Sequence, residues 1–584
     1  MSNPAQRISA LSPEQREILL RELSRARQGK PATAPAALPP LAVRPAERDR
    51  PFPLTDVQEV YWAGRSGYFD LATPGPGANV YLEYEVVGGG EPFLARLEAA
   101  LCRMFDRHEI LRLTLLPDGR QRLLDPLPPY RIERVDLRSL TPEEAEAVSE
   151  DTRERFRYHR GAAGTWPLFG FRAAFLPGDR VRLHIWLDCW LIDGLSRDNL
   201  INDLFVAVAE PDVELPPLGC TYRDYTASWP ELRETEAYRR SREYWLRRVP
   251  ALPPAPELPL AEPLSPRTQA RYTDAFLPLL DAASWQRLKA HASRRGLTPS
   301  SPLIAAFVET LRAWSRRPEL TLTLEGTYWP PTHPQLRDIV GNFNTVYPLQ
   351  ADDTTGTFAQ RTRRLQDQLS EILEHRLFSG FQVLREIRRH RGGGTAPVMP
   401  VMFNSLVEYT HPSYRAQAGP PRPSGADPGP LRVTQIEVGA QFPQLLMLPA
   451  VFEGDGHLFF KFQVVEHVFL PGVVPALRDA YMDLVRRLSA DEAAWDAPSF
   501  LLTPAAQLEA RRNSLPETAE PTAEDAGVEL NRLLGLGPDD RVLSLSPAAA
   551  DPARWEVSGP AAAGAAVVRP ETDDPADWAE LLSR

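Results

Sequence analysis

Residues 180–200 read "RVRLHIWLDCWLIDGLSRDNL". In the first nine, Val181, Leu183, Ile185 and Leu187 alternate with Arg182, His184, Trp186 and Asp188, the period-2 pattern of a strand with one buried face. Asp188 closes that strand. Gly194 then permits a tight turn, and apolar residues at helical spacing follow, with Ser196 as N-cap and Asp198 in the first turn, where a carboxylate suits the helix N-terminus. Asp193 therefore stands at a strand-to-helix corner, five positions after Asp188. The two carboxylates pose a choice between an acid/base pair, a metal site and a scaffold. The intervening "CWLI" offers no converging oxygen ligands, and two carboxylates alone are an incomplete metal shell.

Outward from this corner, 584 residues suffice for two to four folding units, and 43% hydrophobic with 24% charged residues is ordinary for a globular chain. The 60 prolines mark many loops and linkers. A net charge of -11 argues against tracking nucleic-acid phosphates, which calls for a basic surface. No run of 18 apolar residues occurs and the N-terminus lacks the pattern of a signal peptide, so no membrane partner and a cytoplasmic location are expected. Cys102, Cys189 and Cys220 are scattered, which suggests neither zinc nor disulfides but buried free thiols. None of Lys30, Lys289 and Lys461 belongs to a GxxxxGK phosphate loop.

Composition divides the chain. Residues 1–30 contain a short helix over 11–28, opened by Ser12 and Pro13, which either packs on its own body or docks to a partner. Residues 31–50 are a Pro/Ala linker. A mixed α/β lobe is expected over 51–250 and a second over 251–495, entered through the proline-rich "LPPAPELPLAEPLSP" (252–266) and containing the helix "TPSSPLIAAFVETLRAWS" that starts at Thr298 and Pro299. Two lobes joined in this way favour a site between them. A charged linker follows over 496–525, then a small Ala-rich unit over 526–584.

Seven stretches, in order, carry a resemblance: "FPLTDVQEVYWAGR" (52–65), "RHEILR" (107–112), "DCWLIDGLS" (188–196), "LPPAPELPL" (252–260), "LTPSSPLIAAFVETLRAWS" (297–315), "HRLFSGFQVLREI" (375–387) and "PVMFNSL" (400–406). Together they are similar to the heterocyclization domains of nonribosomal peptide synthetases, the condensation-domain variant that makes thiazoline and oxazoline rings. The resemblance implies an α/β, chloramphenicol-acetyltransferase-like pseudodimer of two lobes around a central tunnel. It implies no bound cofactor; substrates arrive on phosphopantetheine arms of donor and acceptor peptidyl carrier proteins or an acyl carrier protein. Asp188 and Cys189 stand where ordinary condensation domains carry a His-His pair, so amide formation rests on positioning and on polar groups other than imidazole. Asp193 matches the family aspartate usually read as structural, for which a buried pairing with an arginine is expected.

Ring formation needs a proton donor for the departing water, and here the chain leaves the family pattern. The "PVVFTS"-like motif reads "PVMFNS", with Asn404 for the threonine; the "QTPQVWLD"-like motif reads "QFPQLLML", keeping Gln441, Pro443 and Gln444 but placing Leu448 at the aspartate. "GDFTS" has become "GNFNT", with Asn342 and Asn344, and Tyr328 and Trp329 replace a family Asn-Arg. Asp188, Asn404, Ser405 and Gln444 are the candidate catalytic residues; Asp193, Ser196, Gln441, Leu448 and Asn342 are candidates for structural or tunnel-lining roles.

Three readings follow. The protein condenses a carrier-bound acyl or aminoacyl thioester with a carrier-bound Cys, Ser or Thr and stops; or a displaced acid such as Glu408 or Glu453 restores cyclodehydration; or the domain is a noncatalytic platform recruiting carrier proteins in the same assembly line. Cys189 has no His-Asp arrangement to activate it, so no covalent enzyme intermediate is expected. The last 60 residues resemble part of an adenylation domain, with Asp551 where that family holds the substrate amino group, yet without a phosphate loop or any lysine after Lys461. Adenylate formation is not expected.

Overall fold

The computed structural model describes residues 38–64, 70–71, 78–88, 90–159, 164–265, 268, 270–407, 432–442, 444–502, 541–543 and 566–568. The N-terminal helix expected over 11–28, Glu408 and Asp551 lie outside the described residues. The chain divides into two compact units, Met1–Pro504 and Ala505–Arg584.

The first half of the larger unit runs α1 (Asp56–Gly64), β1 (Asn79–Val87), α2 (Gly90–Arg107), β2 (Leu113–Leu115), β3 (Gln121–Leu123), β4 (Glu133–Asp136), α3 (Pro142–Arg157), β5 (Phe169–Leu176), β6 (Arg180–Asp188), α4 (Gly194–Ala209), α5 (Tyr222–Arg233) and α6 (Glu236–Arg248). The second runs β7 (Thr273–Leu280), α7 (Ala282–Arg294), α8 (Ser300–Trp314), β8 (Leu320–Thr327), β9 (Asn344–Ala351), α9 (Phe358–Glu374), α10 (Gly380–His390), β10 (Met402–Ser405), β11 (Arg432–Gln441), β12 (Met447–Gly454), β13 (His457–Val464) and α11 (Val473–Ala490). In the smaller unit β14 (Arg541–Leu543) pairs in parallel with β15 (Ala566–Val568).

Each lobe is a mixed sheet with its own hydrophobic core, the two-lobed α/β pseudodimer expected of the chain. The first-lobe sheet has the order β11-β1-β6-β5-β4 and the second β7-β13-β12-β10-β8-β9; no described sheet closes into a barrel. Strand β11 lies within the span read as second lobe, yet it hydrogen-bonds antiparallel to β1, with Asn79 opposite Gln441. The segment before β9 crosses the same way, since Leu336, Ile339, Val340 and Phe343 join the first-lobe core. Two crossings of the chain thus tie one lobe to the other.

Strand β6 spans Arg180–Asp188, as its alternation predicts, but both of its faces are covered. The polar face lies under α3, where Arg153 Nε donates to Glu83 at 2.6 Å and Tyr81 Oη lies 2.7 Å from His184 Nδ1. A buried polar face is tolerable because its groups bond each other. Helix α8 is buried nearly all round, which accounts for its continuous apolar text.

Candidate active site

The corner after β6 starts one helical turn earlier than the sequence pattern suggests. The N-cap of α4 is Asp193 and not Ser196: Asp193 Oδ1 accepts from the Ser196 backbone N–H at 2.7 Å. An aspartate satisfies an orphan N–H of the first turn as well as a serine does, which leaves the Ser196 hydroxyl free to accept from Gly341 N–H at 3.2 Å. Asp193 Oδ2 accepts from Phe343 N–H at 2.8 Å. The arginine expected as its partner is replaced by these two backbone donors. Burial pushes the Asp193 carboxyl up to about 6 even though both donors pull it down. Asp193 and Ser196 therefore fasten the start of α4 to the segment 341–343 of the other half.

That segment carries Asn342 into the junction of the lobes. Asn342 is buried, and its Nδ2 donates to the Cys189 carbonyl at 2.5 Å. The Tyr222 hydroxyl donates to the Asn342 carbonyl at 2.8 Å. Gly341 is required here, because a Cβ would lie 2.0 Å from the Tyr222 ring. Asp188, at the end of β6, is buried and its Oδ1 accepts from Trp190 N–H at 2.9 Å. Next to it, burial raises the Cys189 thiol well above its ordinary range, and the charges of Asp188 and Glu325 raise it further. A thiol held protonated in this way is a poor nucleophile.

Glu325, which the sequence reading missed, joins this arrangement from the second sheet. Asn342 Oδ1 accepts from Asn344 N–H at 3.0 Å; Asn344 Nδ2 reaches Glu325 Oε1 at 3.4 Å and Asn404 Nδ2 donates to Glu325 Oε2 at 2.7 Å. No lysine, arginine or histidine among the described residues pairs with it. Burial pushes its carboxyl up to about 7; Asn404 lowers it, the charge of Asp193 raises it, and Lys461 and Arg197 lower it from further away.

Strand register explains the grouping. Met402 pairs with Thr323 in the parallel ladder, which brings Asn404 level with Glu325; Asn404 pairs with Ala450, and Ala450 with Lys461. Paired residues share a face and alternate residues return to it, so Glu325, Asn404, Leu448, Ala450 and Lys461 all lie on one face of the second sheet. Leu448 is buried there, opposite Gln463.

Other candidates fall elsewhere. Ser405 takes the opposite face, where its hydroxyl donates to Ser300 Oγ at the start of α8, 2.8 Å away. Gln444 stands in the turn after β11 with a φ of 62°, its N–H on the Leu71 carbonyl and its Oε1 3.2 Å from Arg388 Nη2. Gln441 ends β11 beside Asn79. Glu453, weighed as a displaced acid, accepts from Trp285 Nε1 at 2.7 Å and pairs with Lys289 at 3.2 Å. It belongs to the helix-covered face, away from Asn404. A cavity of about 150 Å³ opens beside the junction, lined among others by Asp56, Tyr225, Tyr328, Asn342, Asn344 and Arg376.

A family model described as "Condensation domain" matches residues 80–488. Pyochelin synthetase PchF of Pseudomonas aeruginosa is 34% identical over 446 residues, 76% of this chain and 24% of that protein. Phenyloxazoline synthase MbtB of Mycobacterium tuberculosis is 33% identical over 492 residues, 82% of this chain and 32% of that protein. The chain thus spans about a quarter to a third of the length of these curated relatives. Among solved structures, the EpoB cyclization-docking bidomain from Sorangium cellulosum superposes with a TM-score of 0.67 at 31% identity, covering 83% of this chain and 94% of that one.

Proposed function

Because this chain belongs to the condensation-domain family and stands there with the heterocyclization domains, we propose that it joins a carrier-bound acyl or aminoacyl thioester to a carrier-bound Cys, Ser or Thr in nonribosomal peptide assembly. The observation that carries this reading is the hydrogen-bonded series Cys189–Asn342–Asn344–Glu325–Asn404, which runs from one lobe to the other without an imidazole or an activated nucleophile. Such a set suits direct attack of the acceptor amine on the donor thioester: the C–N bond forms, the carrier thiol leaves, and the enzyme contributes mainly alignment.

In this reading Asp188 and Asn404 flank the reacting groups, while Asp193 and Ser196 hold the lobes in register. The cavity lined by Asn342 and Asn344 suits entry of one phosphopantetheine arm, so a donor and an acceptor carrier protein are the partners. Intact-mass measurement of a cysteine- or serine-loaded acceptor carrier, incubated with an acyl-loaded donor carrier and the full chain, tests it. Transfer of the acyl group supports the reading. No transfer across a panel of acyl donors would favour the noncatalytic platform instead.

A further inference from the structure

We propose that Glu325 is the acid-base group of ring dehydration, taking over a task that Asn404 and Leu448 cannot perform. The inference rests on the condensation reading above and adds to it the fate of the amide.

Three features converge on this carboxylate. It lies on the sheet face shared with Asn404 and Leu448, the two positions where the family's threonine and aspartate are missing. Two of the residues that depart from the family pattern, Asn344 and Asn404, are the ones whose amides reach its two oxygens. Among the described residues no cation pairs with it, although a carboxylate drawn partly out of water is costly to leave without a counter-charge. A scaffold role would be served better by an apolar side chain or an ion pair; a proton carrier needs this kind of surrounding.

The chemistry balances. The acceptor thiol or hydroxyl adds to the new amide carbon, a C–S or C–O bond forms, and the nucleophile's proton ends on the former carbonyl oxygen. The carboxyl of Glu325 then gives its proton to that hydroxyl, which leaves as water while the nitrogen lone pair forms the C=N bond. The N–H proton passes to the carboxylate and restores the acid. Nothing is oxidised, and the products are the ring and one water.

The carboxyl must be protonated at the outset, and its position near neutrality makes that state accessible. The charged groups that face it are Asp193 and Arg197 from the first lobe and Lys461 from β13. Arg197 is paired with Asp198, and Lys461 donates to the Val438 carbonyl with Asp274 at 3.9 Å. Cys189 and Tyr61 are the neighbouring weak acids, both kept protonated by burial. Dehydration is therefore expected to weaken as pH rises through about 7, where the acid form is lost.

The experiment uses two probes with the full chain: an acetyl-loaded donor carrier plus a cysteine-loaded acceptor carrier, and an acceptor carrier preloaded with N-acetylcysteine, which bypasses condensation. Wild type should remove one water from the second probe, with a rate falling about tenfold per pH unit above the carboxyl's titration. Glu325→Gln should lower that rate at least 100-fold, and at least tenfold more than it lowers amide formation with the first pair. Leu448→Asp added to Glu325→Gln, which returns a carboxylate to the same face, should restore part of it. Unchanged dehydration in Glu325→Gln overturns the assignment. So does a wild type that forms the amide but never loses water, which leaves the condensation reading intact. An equal loss of both reactions in a folded Glu325→Gln assigns the residue to structure instead. A wild type inactive on both probes removes the function and this assignment together.

Discussion

Asp193, which is buried, and Glu325, which is partly buried, are both carboxylates at the lobe junction without an ion-pair partner among the described residues, and they are held in opposite ways. The oxygens of Asp193 accept from the backbone N–H groups of Ser196 and Phe343. Those of Glu325 accept from the side-chain amides of Asn344 and Asn404. Backbone donors are fixed by the fold, so a carboxylate that satisfies them becomes part of the fold. Side-chain donors are set by two replaceable residues, so the carboxylate they hold can be tuned by substitution. The kind of donor that holds each carboxylate separates scaffold from chemistry more sharply than titration does, since both groups are raised.

The largest effect expected from breaking this contrast is at Asp193. Asp193→Ala strands two buried N–H donors and removes the cap of α4, a loss of about 3–5 kcal/mol, read from the denaturant midpoint. The pH dependence follows from the two raised carboxyls. An unfolded aspartate releases its proton near its ordinary value, whereas folded Asp193 holds it to about 6 and folded Glu325 to about 7. In between, the folded state binds more protons, so stability falls as pH rises, by up to about 1.4 kcal/mol per unit for each group. Glu325→Gln should flatten the part of that fall nearest neutrality, and denaturant midpoints measured from pH 5 to pH 8 check it.

How much of this was legible follows from the range of each signal. The strand and helix around the DxxxxD corner were readable because periodicity is local, and Asp193 was placed at the corner correctly. Its role as cap was assigned to Ser196, since several polar residues in a row can each start a helix. The arginine expected beside Asp193 was wrong because Phe343, its second donor, is 150 residues away in the chain. Glu325 gave no local signal in "LTLTLEGTYW". It becomes visible only when strand register sets β8 beside β10. Asn344 and Asn404 stand far apart in the sequence, and their common target is a property of the sheet.

Gly341 tests the seam between the two regions. Gly341→Ala drives a methyl group into the Tyr222 ring, 2.0 Å away, and overpacking of this kind costs about 1–3 kcal/mol. Because Asn342 follows directly, amide formation and dehydration should fall together, unlike the selective loss expected for Glu325→Gln. A parallel fall measured on both carrier probes marks the seam as common support for both regions.

Asn404→Asp sharpens the second region alone. It puts another carboxyl at the position whose amide now lies 2.7 Å from Glu325. Two carboxylates so close cannot both ionise readily, and one proton is shared by the pair. The upper titration should rise by about one unit or more, about 1.4 kcal/mol of interaction, and the decline of dehydration should move to correspondingly higher pH. Infrared titration of the carboxyl band with and without Glu325→Gln follows the same shift without turnover.

The smallest effect is expected at Gln444, which shares neither kind of support. Its backbone sits at a φ of 62°, a region that strains any residue with a Cβ, and its side chain is engaged by Arg388 rather than by Asn404 or Glu325. Gln444→Gly relieves that strain but gives up one partly exposed hydrogen bond and adds chain entropy to the unfolded state; each of these is about 0.5–1 kcal/mol. The opposing contributions should leave stability within about 1 kcal/mol and the ratio of ring to open amide unchanged. A folded Gln444→Gly that keeps amide formation but loses ring product would place this glutamine with Glu325 after all. The turn after β11 would then belong to the chemistry, and the division between backbone-held scaffold and side-chain-held acid would have to include a residue held by both.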